Sequence, residues 1–84
     1  MTDREYEILD ALYFTVSFEA IQLELEADEF SLRDELLALI EKGWVKCLEK
    51  ISEKEIDDLL DISQNYKVYN FLASKKGLMV HNSR

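Results

Sequence analysis

Proline is absent from this 84-residue sequence, and glycine occurs only at Gly43 and Gly77. No helix interior is interrupted by a proline ring, and two isolated glycines cannot build a phosphate-cradling loop. Cysteine and histidine occur once each, as Cys47 and His81. A lone cysteine excludes an internal disulfide framework and agrees with a reducing compartment, and no His/Cys set with metal-site spacing exists. The longest stretch without charge, Ala11 to Phe18, has eight residues, against the roughly 20 that a membrane helix needs. The amino terminus has no basic segment followed by an apolar one. These absences lead to the expectation of a soluble, cytoplasmic chain with no membrane partner, no cofactor, no evident small-molecule substrate and no catalysis. His81, near the carboxyl end, reads as a surface residue of a frayed terminus. Asp57, Asp58 and Asp61 lack the glycine and closing glutamate of a calcium loop and read as a solvated helical face.

What the sequence does contain is 48% apolar residues in 9.9 kDa, enough for one small, mostly helical domain spanning 1–84. Thr2, Ser31 and Ser52 each precede an acid by three residues, Glu5, Asp34 and Glu55, a pattern that starts helices. Tyr6, Leu9, Leu12, Tyr13 and Val16 predict a first helix through about residue 16. Ser17 caps a second, carrying Phe18, Ile21 and Leu25 and ending near Ala27 and Asp28. The third starts at Ser31, buries Leu32, Leu36, Leu39 and Ile40, and stops at Gly43. Trp44 to Glu49 and Lys67 to Leu72 read as two strands of an antiparallel ribbon. Ile56, Leu59 and Leu60 suggest a short helix behind Ser52 in the connection between them. Ser74 to Val80 adds a final helical turn or two, with Gly77 lowering its helicity by about 1 kcal/mol relative to alanine.

The fold class expected is therefore mainly α with a small antiparallel β-ribbon. The segment Leu36-Leu37-Ala38-Leu39-Ile40-Glu41-Lys42-Gly43-Trp44-Val45 resembles the end of the recognition helix and the entry to the wing in winged helix-turn-helix transcriptional regulators. Ser17, Phe18, Ile21, Leu25 and Ala27 resemble that family's second helix and turn. Phe71, Ala73, Ser74, Lys76 and Gly77 resemble its wing exit. Glu26 stands where the family's turn often has glycine, and Ser52 to Leu60 lengthens the wing. The resemblance implies a three-helix core plus a wing with a short inserted helix, and a third helix whose outward side chains enter the DNA major groove.

Charge argues against that use. Residues 1–41 hold twelve acids and two bases, a net −10, whereas 42–84 hold six acids and eight bases, a net +2. The outward positions that the resemblance assigns to base reading are Ser31, Arg33, Asp34, Leu37, Ala38 and Glu41, and only Ser31 and Arg33 can donate to a base edge. A carboxylate about 7 Å from a phosphate is repelled by about 0.6 kcal/mol in water. Two readings follow. In the first, Leu23, Leu37 and Ala38, rimmed by Glu24, Asp34 and Glu41, form a protein interface for self-association or a protein partner. The alternative is a DNA-binding regulator using Ser31, Arg33, Lys42, Lys46, Lys50 and Lys67, with nucleic acid disfavoured by the acidic second and third helices. A competing expectation for the apolar ridge is that the wing insertion folds over it through Leu59 or Leu60. Phe14 and Phe30 carry the same ambiguity.

Overall fold

The computed structural model describes residues 1–83 as a mixed α+β arrangement of helices around a four-stranded antiparallel sheet. Helix α1 (Asp3–Ala11) starts at the Thr2 capping box, in which the hydroxyl accepts from Glu5 N and the Glu5 carboxylate accepts from Thr2 N. It ends earlier than the sequence pattern implies. Leu12 is its C-cap, and Val16 belongs to β1 (Val16–Ser17), opposite Phe71 of the last strand. The β-branched pair Thr15 and Val16 favours extended backbone, and Ala73 N donates to the Leu12 carbonyl at 2.9 Å, tying the helix end to the sheet.

Helix α2 (Phe18–Leu25) is capped by the Ser17 hydroxyl, which accepts from Ala20 N at 3.1 Å. Its far end closes on Glu26 at φ 50° and ψ 46°, with Ala27 N donating to Gln22 O and Glu26 N to Leu23 O. That is the left-handed closure glycine usually supplies. A side chain in this conformation crowds its own carbonyl at a cost of about 1 kcal/mol. Glu26→Gly is therefore expected to melt higher than Glu26→Ala, by up to about 1 kcal/mol, since both remove the carboxylate and only one relieves the backbone. Equal melting temperatures would refute this account.

Helix α3 (Glu29–Glu41) is capped by Asp28 rather than Ser31, three residues earlier than expected. The Asp28 carboxylate accepts from Ser31 N at 3.0 Å, and this bond holds its carboxyl below the usual range. Asp28 caps the free amides at the start of the helix, which leaves Ser31 inside its first turn, where it needs no cap. At the other end Gly43 has φ 80°, with Gly43 N donating to Ile40 O and Trp44 N to Leu39 O. The helix thus stops at Gly43 as expected, and the chain turns into β2 (Val45–Glu49).

The connection to the last strand holds two surprises. Ser52 caps no helix: its hydroxyl donates to Glu49 at 2.6 Å and accepts from Lys54 N, shaping the turn between β2 and β3 (Glu55–Ile56). Ile56 accordingly lies on a strand opposite Cys47, not on a helix. The inserted helix does exist, as α4 (Leu59–Asn65), capped by Asp58, whose carboxylate accepts from Leu60 N and Asp61 N. A 3-10 turn (Tyr66–Val68) leads into β4 (Tyr69–Ala73), and Ser74 caps α5 (Lys75–Asn82).

The strand order is β1-β4-β2-β3, with Cys47 facing Phe71 and Val45 facing Ala73 across the central pair. Strand alternation places these four side chains on the helix-covered face, where they join Ile8, Leu9 and Leu12 of α1, Phe18 and Ile21 of α2, and Leu32, Leu36 and Leu39 of α3. Phe18 is the hinge of this core, edge-on to Tyr66 at 4.6 Å and to Phe71 at 6.4 Å. Ile62 anchors α4 in the same cluster. No helix among the described residues is long and apolar enough to cross a membrane.

Candidate protein-contact surface

The outward face of α2 is set by a simple rotation: Phe18, Ile21 and Leu25 turn inward, which leaves Leu23 on the opposite side. Leu23 is 80% exposed, with Ala20 and Glu24 also in solvent. On α3 the ridge expected from Leu37 and Ala38 is divided. Leu37 is half-buried and packs against the core, whereas Ala38 is exposed and borders a small hollow shared with Arg4, Glu5 and Ile8 of α1. One residue apart on a helix is a turn of 100°, so the two cannot share a face. Asp34 and Glu41 are exposed between them. Helix α4 packs beside α3 with Ile62 buried in the core and Leu59 half-buried, while Leu60 points to solvent. Phe30, at the start of α3, is also exposed.

Three of the five basic residues expected to meet DNA, Arg33, Lys42 and Lys67, are engaged within the chain. Arg33 Nε donates to Asp34 at 2.9 Å and lies over the Phe30 ring at 5.1 Å; the hydrogen bond to Asp34 raises its pKa. Lys42 donates to Glu5 and sits over the Trp44 ring at 4.7 Å. Lys67 pairs with Glu29 at 3.1 Å, and Glu29 also accepts from the Tyr66 hydroxyl. The Tyr66 bond first, and then Lys67, holds the Glu29 carboxyl below its usual range, while Lys67 and Tyr66 are pushed up in return. Lys46 is half-buried and Lys50 exposed, and neither has an ion pair among the described residues. The second half's positive charge is thus partly spent on the first half's acids, at sites 30 or more positions away in sequence.

A second concave surface lies between α1 and α2, a groove of about 590 Å³. Phe14, Val16 and Leu25 supply its apolar lining, and Glu7, Asp10 and Glu24 stand around it. Phe14 is 81% exposed there, on the loop that follows α1. Glu7 bonds Arg4 at 3.4 Å, and Glu24 has no partner of opposite charge among the described residues. The sequence held one hint of this groove, because Glu7, Asp10 and Phe14 recur at helical spacing. Closing it required knowing how α2 crosses α1.

Behind the groove, His81 is not the surface residue of a frayed end. Helix α5 continues through Asn82 and packs on α1, leaving His81 8% exposed and stacked on Tyr6 with ring centroids 4.2 Å apart. The Tyr13 hydroxyl donates to Asn82 at 2.8 Å, so the bond between Tyr13 and His81 Nδ1, 2.7 Å, has the imidazole as donor. Nε2 then faces the Asp10 carboxylate at 3.3 Å, close enough for an ion pair but off the line a hydrogen bond needs.

Asp57, Asp58 and Asp61 also have more specific roles than a solvated face. Asp58 is the α4 cap, Asp61 accepts from the Tyr69 hydroxyl at 2.6 Å and from Asn65 at 2.7 Å, and only Asp57 simply lies in solvent. The bond to Asp61 pushes the Tyr69 phenol up to about 12. Cys47 is fully buried, and desolvation pushes its thiol up to about 12. At neutral pH it is an apolar core residue rather than a nucleophile. Among the described residues no three His, Cys, Asp or Glu side chains are grouped to hold a metal ion.

No protein-family model matches this chain, and no curated protein or solved structure matches it either.

Proposed function

We propose that the chain is a non-catalytic winged helix-turn-helix domain that acts by protein contact, in a homo-oligomer or as a small adaptor or regulator in transcription-type machinery. The observation that carries this reading is the outward face of α2 and α3. It offers Leu23 and Phe30 to solvent, and its one cation, Arg33, is bonded to Asp34. Three helices followed by the β2 and β4 ribbon, with α3 stopping at Gly43 before the first long strand, support the winged-helix assignment. The lengthened wing contains α4, which packs on α3. An apolar outward face ringed by carboxylates suits desolvation against a protein better than approach to a polyanion.

The expected results separate association from folding. Leu23→Glu should leave the melting temperature within the scatter of a surface substitution, about ±0.5 kcal/mol, while weakening association measured by sedimentation. Leu37→Glu should instead destabilise the monomer, since it forces a carboxylate against the core. Unchanged association in Leu23→Glu would remove Leu23 from the interface.

The second reading, DNA binding, draws on Lys46 and Lys50, which remain outside the ion pairs. Under the protein-contact reading, generic duplex binds no more tightly than about 10⁻⁴ M at physiological salt in mobility-shift titrations. Micromolar binding that falls steeply with salt and weakens in Arg33→Ala would replace the first reading with the second.

A further inference from the structure

We infer that the groove between α1 and α2 receives a basic amphipathic helix from a different protein, an inference that rests on the protein-contact reading and supplies its partner chemistry. Three features converge on this occupant. The groove's lining is apolar, with Phe14 standing 81% exposed beside Val16 and Leu25. An aromatic ring left in solvent over a preformed hollow is the usual anchor of a protein contact. A volume of about 590 Å³ takes two or three aliphatic side chains, such as those one helical turn apart on a partner's apolar stripe. Around the lining stand Glu7, Asp10 and Glu24, carboxylates of the half that carries a net −10.

Glu7 and Asp10 are one turn apart on α1, and Glu24 faces them from α2. A helix lying in the groove with lysines or arginines flanking its apolar stripe would meet carboxylates on both sides. The same charges argue against a second copy of this chain as occupant, because its corresponding face would place acid against acid. They also argue against nucleic acid and anionic lipid.

The test titrates the full chain, labelled with ¹⁵N, with a synthetic leucine and lysine amphipathic peptide of about 15 residues, long enough to hold a helix when docked. A peptide of the same pattern with glutamate in place of lysine serves as the charge control. Binding of the lysine peptide alone is expected, with amide shifts concentrated at Ala11 to Val16 and at Glu24 and Leu25, and with affinity falling as salt rises. Phe14→Ser and Glu24→Lys should each lower the affinity by about tenfold or more while leaving the melting temperature unchanged, since both side chains are exposed. Absence of binding, equal binding of both peptides, or retention of full affinity in Phe14→Ser would overturn the inference. Shifts centred on Leu23 and Phe30 would also overturn it, yet leave the protein-contact reading standing. Micromolar duplex binding in the mobility-shift titrations is the separate result that removes that reading.

Discussion

Gly77→Ala is expected to destabilise the domain by about 2 kcal/mol or more, against the direction that helix propensity alone implies. Alanine at a helical position gains about 1 kcal/mol over glycine in isolation, and Gly77 lies in the first turn of α5. Here, however, a Cβ would fall 2.0 Å from the Trp44 carbonyl oxygen and 3.2 Å from Leu9 Cδ2. The oxygen cannot swing aside as a side chain does. It belongs to the backbone between Gly43 and β2, and it already accepts from Ser74 N at 2.9 Å. The Ser74 hydroxyl donates to Gly43 O at 2.6 Å and accepts from Gly77 N at 3.0 Å. Relieving the clash therefore means moving α5 away from the sheet and stretching the two hydrogen bonds by which Ser74 joins its start to Gly43 and Trp44, after α3.

Overpacking of this kind costs about 1–3 kcal/mol, and more when backbone must shift. For a domain of this size each kcal/mol is about 4–8 °C in melting temperature, so thermal melts should place Gly77→Ala about 10 °C or more below the parent. The neighbouring Lys76→Ala, at an exposed position, should melt within about 0.5 kcal/mol of it. A Gly77→Ala variant that melts at or above the parent would show that α5 is loosely docked and that local propensity governs there.

Gly77 also illustrates which parts of the molecule are legible in the sequence. Signals that act within four residues could be read directly: the Thr2 box, the Ser17 cap, the stop at Gly43 and the Ser74 start are all where the spacing puts them. Ser31 and Ser52 carried the same local pattern but gave no helix starts. Asp28 caps α3 three residues earlier, and Ser52 was drawn into the β2 to β3 turn by Glu49 and Lys54. Val16 and Ile56 fit helical spacing and lie on strands, since their partners Phe71 and Cys47 are distant in sequence and outweigh local periodicity.

The candidate site divides along the same line. Exposure of Leu23 follows from the rotation of one helix, so the sequence sufficed. Leu37 could not be placed without the packing of the core around α3, and the pairing of Lys42 with Glu5 or Lys67 with Glu29 spans 37 and 38 positions. The groove at Phe14 and the burial of His81 both depend on how α1 is crossed by α2 and α5. Composition could announce an acidic half, but only the fold shows which carboxylates surround an apolar hollow and which are already paired.

The largest stability loss is expected from truncating the centre of α3. Leu36 lies between Leu32 and Leu39 on the buried stripe and is 1% exposed. The cluster around it draws side chains from all three amino-terminal helices, from α4 and from the central strands, so a shift of one helix to fill a void at Leu36 would disturb packing elsewhere. Leu36→Ala should cost about 2–5 kcal/mol, the lost transfer energy plus the cavity left behind. That is a large share of the 5–15 kcal/mol that holds a typical domain together. At about 4–8 °C per kcal/mol, the melting temperature should fall by about 10 °C or more, and denaturant midpoints should move with an unchanged slope if only packing is lost. Ala38, two positions on and exposed, provides the contrast: Ala38→Ser should change stability by about 0.5 kcal/mol or less. A loss below about 1 kcal/mol for Leu36→Ala would mean that α3 can collapse onto the void. Its outward and inward faces would then be less firmly fixed than the proposed contact through Phe30 requires.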